Sequence, residues 1–452
     1  MTTSILWFRR DLRRSDHPAL LAAAERADRV LPLFILDPRL LGSAGARTER
    51  LMASIAALRA DLDQALVVRT GNPADLLPAV AAEVGAREVH VSAESTPYGR
   101  RRDAAVAARL DTMGVRLIRT GSPYAVHPGL VRNAQGAPYR VFTPFAKAWR
   151  DHDWPAPAGC AEIDWRRGIP SEAIDPANGA RGLGEAGERA ALARWEAFLK
   201  NRLPSYAHDR DRPDHDATSR MSIPLKYGEV HPRTLLRDLA RCRDATNTSA
   251  IDRFVTELAW REFYADVLWH DPGSAWRDWR SELRGLRYDD EPGLVDAWRT
   301  GRTGYPFVDA GMRQLLAEGW MHNRLRMVTA SFLVKDLHTW WPIGAQHFLQ
   351  HLIDGDLASN NHGWQWTAGT GTDAAPYFRI FNPVSQGLRF DPDGTYVRRW
   401  VPELAHLVGP AVHEPWRHRD GYAHGYPHRI VEHAEERREA LARLTEVRGR
   451  HR

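Results

Sequence analysis

The sequence predicts an α/β amino-terminal domain, built on a doubly wound parallel five-stranded sheet, followed by an all-α carboxyl-terminal domain. Three observations predict it. Short apolar runs alternate with amphipathic stretches over the first third. The strand signal stops after Glu188. Between the two regimes, Asp151 to Gly187 carries four prolines (155, 157, 170, 176) and six glycines (159, 168, 179, 182, 184, 187). Strand–helix alternation implies parallel strands joined by crossover helices.

The apolar runs Ile5–Phe8, Val30–Leu36, Leu66–Val68, Val89–Val91 and Val115–Ile118 read as the five strands. His17 to Arg29 and Arg47 to Asp63 read as helices, the second with Leu51, Ile55, Leu58 and Leu62 on one face. Ligands of such sheets sit beyond the carboxyl ends of the strands, where Arg9, Arg10, Asp11, Arg13 and Asp37 fall. The strand ends carry no G-x-G-x-x-G or Walker-type loop, which argues against an ordinary nucleotide-phosphate site there. The Pro/Gly-rich tract is long for a loop inside a compact domain and reads as an irregular link. The expected division is therefore 1–130, a linker over 131–188, and a helical domain over 189–452. Within the last, Ala190–Asn201, Ile251–Trp269, Tyr305–Glu318, Arg324–Trp340 and Ala345–Ile353 have a period near 3.6, and His433–Arg450 is a charged, solvated helix.

At 452 residues the chain is expected to form two or three domains, and its 43% hydrophobic and 26% charged content is ordinary for a globular protein. Cys160 and Cys242 supply neither a disulfide framework nor zinc spacing, so a cytoplasmic setting is expected. Met1-Thr-Thr-Ser-Ile-Leu-Trp-Phe-Arg-Arg lacks a signal-peptide layout, and no run of about 18 apolar residues exists to span a membrane. The net charge of +5 and pI of 9.3 permit nucleic-acid binding without establishing it. Of 17 tryptophans, twelve lie after residue 250. A bulky helical core would use them, and so would a surface on which bases stack.

Glu257, Trp260, Arg261 and Tyr264 stand at i, i+3, i+4 and i+7. That spacing makes either a pocket wall with a polar rim or a salt-bridged amphipathic helix. Trp320, Asn323 and Met327, at i, i+3 and i+7 with Arg324 alongside, suit a planar heterocycle or an interior polar network. The run Thr218-Ser219-Arg220-Met221-Ser222 offers hydroxyls, backbone amides and a guanidinium for a diphosphate, and Tyr206 precedes it by twelve residues. Asp354 and Asp356 flank Gly355, and Arg326 is a partner for one of them. Two carboxylates without a third ligand at suitable spacing predict no metal. Asn360, Asn361, Trp364 and Trp366 follow.

Trp7-Phe-Arg-Arg-Asp-Leu-Arg13, Trp260-Arg-Glu-Phe-Tyr264, Gly304-Tyr-Pro306, Gly319-Trp-Met-His-Asn-Arg-Leu-Arg-Met327, Asp354-Gly-Asp356 and Thr370-Gly-Thr-Asp-Ala-Ala-Pro-Tyr-Phe-Arg-Ile-Phe-Asn-Pro383 together resemble the DNA photolyase/cryptochrome family, most closely its class I cyclobutane pyrimidine dimer photolyases. The resemblance covers nearly the whole chain. It implies FAD in a folded form in the helical domain, with Tyr206 and Thr218 to Ser222 at the ribityl-phosphate portion. Arg261, Asp354, Gly355 and Asp356 would line the cofactor, with Arg326 neutralising Asp354 and Asn360 facing the flavin N5. It implies UV-damaged DNA as partner, the lesion being flipped out of the duplex; photolyases are among the handlers of extrahelical bases. Glu257 would hydrogen-bond the dimer, Asn323 and Met327 contact its bases, Trp260 and Trp366 stack on them, and Tyr264, Arg324, Arg379 and Gln386 lie nearby.

The family commonly uses three tryptophans to photoreduce its flavin. Trp364 and Trp341 match the inner two, and the outermost aligns with Tyr288, with Trp279 or Trp298 as substitutes. A histidine pair in the lesion cavity marks repair of the (6-4) product, whereas this chain has His322-Asn323 and is expected to repair cyclobutane dimers. Ser92 to Asp103 resembles the 8-hydroxy-5-deazaflavin antenna group, with methenyltetrahydrofolate or no antenna as alternatives. A monomer is expected. A blue-light sensor that binds FAD without repair, or an electron-transferring flavoprotein without DNA, are the competing readings.

Overall fold

The computed structural model describes residues 1–41, 45–174, 184–372 and 378–449. Pro176, Gly179 and Gly182 of the Pro/Gly-rich tract, residues 373–377 of the motif that starts at Thr370, and Arg450 lie outside the described residues. The chain forms two compact units. One contains Met1–Tyr139, Thr143–Pro204 and Ser219–Pro272; the other contains Arg140–Phe142, Ser205–Thr218 and Gly273–Arg452.

The first unit holds strands β1 (Thr3–Phe8), β2 (Arg29–Leu36), β3 (Val67–Thr70), β4 (Glu88–Val91) and β5 (Arg116–Arg119), all parallel, in the order β3-β2-β1-β4-β5. β1 is central and buried on both faces, which is why Ser-Ile-Leu-Trp-Phe reads as a continuous run and does not alternate. Helix ends follow local chemistry. Asn72 accepts the Ala74 N–H ahead of Pro73–Val84, which closes at Gly85 in the left-handed region (φ 67°). Thr96 caps Pro97–Asp111 in the same way. Ile5, Trp7, Leu31, Leu33, Val89 and Val91 form the sheet core with Leu77, Val106 and Leu110 of the covering helices. The first helix is shorter than its apolar pattern: it runs Pro18–Glu25, and Arg29 opens β2 instead.

The Pro/Gly-rich tract makes specific contacts within this unit. Val30 exchanges backbone bonds with Asp164 and Arg166 (2.9 and 2.8 Å). Val68 of the edge strand β3 donates to Ser171 Oγ (2.9 Å) and accepts from the Glu172 N–H (2.9 Å), and Thr70 N–H donates to the Glu172 carboxylate (2.8 Å). Both outward backbone groups of Val68 are thereby satisfied without a sixth strand. The unit also contains the helices Glu188–Asn201, Pro232–Arg241 and Thr248–His270.

The second unit is helical, with Pro306–Glu318, Asn323–Ser331, Trp341–His351, Leu357–Ala368, Pro383–Phe390 and His433–Gly449 as its longer helices. Its core gathers Trp298, Tyr305, Phe307, Phe332, Trp341, Phe348 and Trp364. The expected helix Arg324–Trp340 is corrected here. Regular α-helix stops at Ser331, a π-helical turn covers Phe332–Asp336, and His338 adopts φ 48° before Trp341–His351 begins with Pro342 in its first turn. Buried Lys335 donates to the Ala368 carbonyl and Asp336 meets His433, so charged contacts compete with the helical ladder. Pro342 then bars continuation.

Candidate functional site

In the first unit, Glu257, Trp260, Arg261 and Tyr264 share one half-buried stripe of Thr248–His270, while Leu258, Ala259, Glu262 and Phe263 are buried. The helix is fixed from its buried side. Glu262 accepts the N–H groups of Ala125 (2.5 Å) and Val126 (3.0 Å) and the indole N–H of Trp149 (2.6 Å). Burial nonetheless pushes this carboxyl up to about 7, against the pull of those donors. Asp266 accepts from Gly129 N–H at 2.6 Å. Gly129 has φ +92°, and a Cβ there would lie 2.5 Å from Trp269 Nε1, so only glycine fits. Trp260 packs against Phe263 and Tyr264, with centroids 5.8 and 5.3 Å apart. Arg261 is engaged with protein: it donates to the Pro123 and Leu225 carbonyls (3.1 and 3.4 Å) and lies 4.4 Å over the Tyr124 ring.

Ser219 to Ser222 also lie in the first unit. Arg220 has φ 53°, costly for a residue with a Cβ, and Met221 N–H donates to Ser219 Oγ at 3.2 Å. Met221 is buried, Ser222 exposed, and Ser219 and Arg220 half-buried. Thr218, half-buried, and Tyr206, buried with Arg210 5.6 Å over its ring, fall in the second unit.

Beyond the carboxyl ends of the strands, Arg9 pairs with Asp103 at 2.7 Å. Arg9 and Arg102 lie 4.6 and 4.8 Å over Trp7. Burial alone would raise the Glu94 carboxyl, yet Arg10, Arg102 and Arg9 hold it below its ordinary value. A Cβ on Gly99 would meet Glu94 Cγ at 1.9 Å, so Glu94 requires glycine there. The stretch Ser92–Asp103 is thus knitted to Trp7, Arg9 and Arg10.

In the second unit, the expected helical triplet Trp320, Asn323, Met327 is corrected. Gly319 (φ 65°) ends one helix and His322 caps the next, so Trp320 lies outside the helix that carries the other two. His322 Nδ1 accepts the Arg324 N–H at 3.1 Å, and burial drops its pKa to about 4, so the ring is neutral with its proton on Nε2. Asn323 is exposed, Met327 half-buried. Arg324 pairs with Asp211 at 2.9 Å and lies 4.1 Å over Phe390. Gln386, one turn before Phe390, keeps a buried Oε1 that has no partner among the described residues. Arg379 is exposed.

The expected Arg326–Asp354 pair is present. Arg326 Nη2 lies 3.1 and 2.8 Å from the two carboxylate oxygens, and its Nε donates to the Met321 carbonyl (2.9 Å). Gly355 is buried, and Asp356 caps Leu357–Ala368 by accepting the Ser359 N–H at 3.0 Å. On that helix Asn360 Nδ2 donates to the Ala345 carbonyl (3.0 Å) and to Asn361 Oδ1 (2.9 Å). Trp366 is half-buried. Trp364 packs into the core 4.9 Å from Phe348, over Gly344, where a Cβ would meet it at 2.2 Å. Trp341 is one turn before Gly344 and donates its indole N–H to Asp278 Oδ1 at 2.8 Å.

Asp278 is the residue that sequence reasoning missed. It sits among Arg277, Trp279 and Arg280, which reads as a solvated loop, yet it is buried. The loop is bound to Leu357–Ala368 by Gln365, which donates to the Ser274 carbonyl (2.7 Å) and accepts from Trp279 N–H (2.8 Å). Tyr288 buries a hydroxyl with no hydrogen-bond partner among the described residues.

Each unit has groups of the kind that FAD requires: in the first, the Ser219 and Ser222 hydroxyls and the Arg220 guanidinium suit a diphosphate; in the second, Arg326-paired Asp354 suits amide and amine donors, with an amide at Asn360. Asn360→Asp should lose both amide donations, costing about 1 kcal/mol each. The new carboxyl would face two oxygens and hold its proton above the ordinary range. The lowered melting temperature, the carboxyl infrared band and the altered redox titration of bound flavin would report this; an unchanged titration would count against Asn360 facing the flavin.

A family model described as DNA photolyase matches residues 4–160, and one described as the FAD binding domain of DNA photolyase matches residues 254–446. A deoxyribodipyrimidine photo-lyase of Halobacterium salinarum is 37% identical over 98% of this chain and 99% of its own. That of Escherichia coli is 38% identical, covering 98% of each. The crystal structure of a class III photolyase from Agrobacterium tumefaciens superposes with a TM-score of 0.91 at 35% identity, covering 99% of this chain and 98% of the other. No helix among the described residues is long and apolar enough to cross a membrane.

Proposed function

This chain belongs to the DNA photolyase family, and from that premise we propose how its residues divide the work of repair. It is a light-dependent lyase that acts on pyrimidine dimers in DNA, and it carries an FAD-binding domain. Reduced FAD, when bound, would supply the light-driven one-electron chemistry. The protein supplies position and electrostatics.

The observation that carries the division is the half-buried stripe of Thr248–His270. Trp260 gives a flipped-out dimer an aromatic platform, and Glu257 a charge-assisted hydrogen bond that strengthens as the dimer gains an electron. Tyr264 extends the aromatic surface. Asn323 and Met327 contact the bases, Trp366 stacks, and Arg324, Arg379 and Gln386 approach lesion or phosphate. Tyr206, Thr218, Ser219, Arg220, Met221, Ser222, Asp354, Gly355, Asp356 and Asn360 hold FAD, with Arg326 orienting Asp354. Arg261 serves that surface indirectly, since its guanidinium ties the helix to Pro123 and Leu225.

Neutral His322, with Nδ1 committed to a helix cap, supports the cyclobutane reading and the class I assignment over proton-assisted repair of the (6-4) product. We further propose a monomer in the cytoplasm, with 8-hydroxy-5-deazaflavin as antenna at Ser92–Asp103. One purification tests these readings. Illuminated protein should split cyclobutane dimers back to separate pyrimidines and leave (6-4) products intact, with an absorption band near the deazaflavin maximum. Repair of (6-4) products alone would overturn the lesion assignment, absence of any repair would favour the sensor, and a folate-like band would replace the antenna.

A further inference from the structure

We propose that the electron refilling Trp341 enters through Trp340 and not through Tyr288, and that Asp278 is the positioning residue that keeps Trp341 poised to receive it. This rests on the reading that Trp364 and Trp341 form the inner photoreduction relay.

Tyr288 is poorly built for a terminal donor. A phenol gives up an electron near neutral pH only by shedding its proton in the same event. The Tyr288 hydroxyl is buried and has no acceptor among the described residues. Asp278, the carboxylate whose charge reaches it, is already taken on Oδ1 by the Trp341 indole at 2.8 Å. Burial and that negative charge both push the phenol upward from its ordinary value. Nor is the segment free to swing outward. The next residue, Asp289, donates its N–H to the His338 carbonyl at 2.9 Å and is held by Arg443 through two bonds of 2.9 and 2.7 Å.

Trp340 has the opposite properties. It is joined to Trp341 by a single peptide bond and is 41% exposed, whereas Trp341 is 0% and Trp364 2% exposed. Its backbone is fixed as the residue that opens Trp341–His351, its carbonyl accepting the Ile343 N–H at 3.1 Å. An indole tolerates loss of an electron before loss of its proton, so Trp340 can act while keeping the N–H that it shares with Asp278. The substitutes are less apt. Trp298 adjoins Trp364 at 6.0 Å but is fully buried, with its indole N–H on the Thr329 carbonyl (2.9 Å). Trp279 is half-buried.

Asp278 acts on the middle station. Burial raises its carboxyl, and the Thr370 hydroxyl, the Trp341 and Trp340 indoles and the charge of Arg284 counter that; Arg284 also holds the Asp278 carbonyl through Nε and Nη2 (3.1 and 3.0 Å). An anionic oxygen on the indole N–H favours the electron-deficient form of that ring. The balance closes with a thiol as reductant. One electron passes from Trp340 to oxidised Trp341, leaving a Trp340 cation radical that keeps its proton; a thiol then returns one electron, its own proton going to water. Two oxidised thiols pair as a disulfide.

The flavin-loaded protein tests this under blue light with dithiothreitol. Trp340→Phe, matched to the parent in bound flavin and melting temperature, should lose most of its thiol-dependent photoreduction, while Tyr288→Phe retains it. Asp278→Asn should slow thiol-dependent photoreduction by making Trp341 harder to oxidise, with indole N–H exchange of Trp341 speeding up. A readout on the unsubstituted chain comes from electron paramagnetic resonance with ring-deuterated tryptophan or tyrosine: the trapped radical should respond to tryptophan labelling and vanish in Trp340→Phe. Retained photoreduction in Trp340→Phe, a tyrosine radical in the parent, or loss confined to Trp279→Phe or Trp298→Phe would overturn the inference. Full-rate photoreduction in Trp364→Phe would instead remove the relay reading beneath it.

Discussion

Trp260→Ala should weaken binding to dimer-containing DNA by roughly ten- to a hundredfold, as expected for the loss of about 1–3 kcal/mol of stacking per base, while binding to undamaged duplex changes little. The indole is half-buried and supported at its edges by Phe263 and Tyr264, so its orientation is set before any ligand arrives. The helix beneath should survive, because Glu262 and Asp266 fix it from the other side. Bound flavin therefore remains, and the loss is confined to lesion selectivity. Titrations of damaged and undamaged duplex at several salt concentrations separate stacking from phosphate contacts, which dominate the salt dependence. Unchanged selectivity in Trp260→Ala would remove the stacking assignment.

Arg326→Met should leave the protein about 3 kcal/mol less stable and largely free of flavin. The Asp354 carboxylate is 1% exposed and its ion partner is Arg326, itself 24% exposed. Removing one member of a buried pair strands the other charge. The double variant Arg326→Met/Asp354→Leu tests the cause, since it removes both charges and should regain much of the stability. Flavin should still be lost if Asp354 holds the cofactor. A double variant that recovers stability and binds flavin normally would show the pair to be structural alone.

How far the sequence could be read depended on where the deciding force lay. Runs such as Ile5–Phe8 and Val30–Leu36 are apolar throughout and stop at a charged residue, so their strands were legible, with ends displaced by only a residue or two. The stripe of Glu257, Trp260, Arg261 and Tyr264 was legible because a 23-residue helix preserves its spacing. Trp320 was not, since periodicity alone overlooked Gly319 and the histidine cap after it; glycine at that point is itself a stop signal. The break after Ser331 was hidden for a different reason. Its causes, Lys335 on Ala368 and Asp336 on His433, are contacts across 33 and 97 residues, and no local pattern announces them. Asp278 was illegible on the same ground: its burial is imposed by Gln365 and Trp341 from a distant stretch of chain.

The tract between Asp164 and Glu172 has a consequence for life at high concentration. A lone parallel strand margin is an invitation to a neighbouring molecule, and here Ser171 and Glu172 have already answered it with bonds that contain no repeating ladder to extend. What looks like slack cordage is a selvedge: it finishes the cloth so that the weave cannot be continued by a stranger.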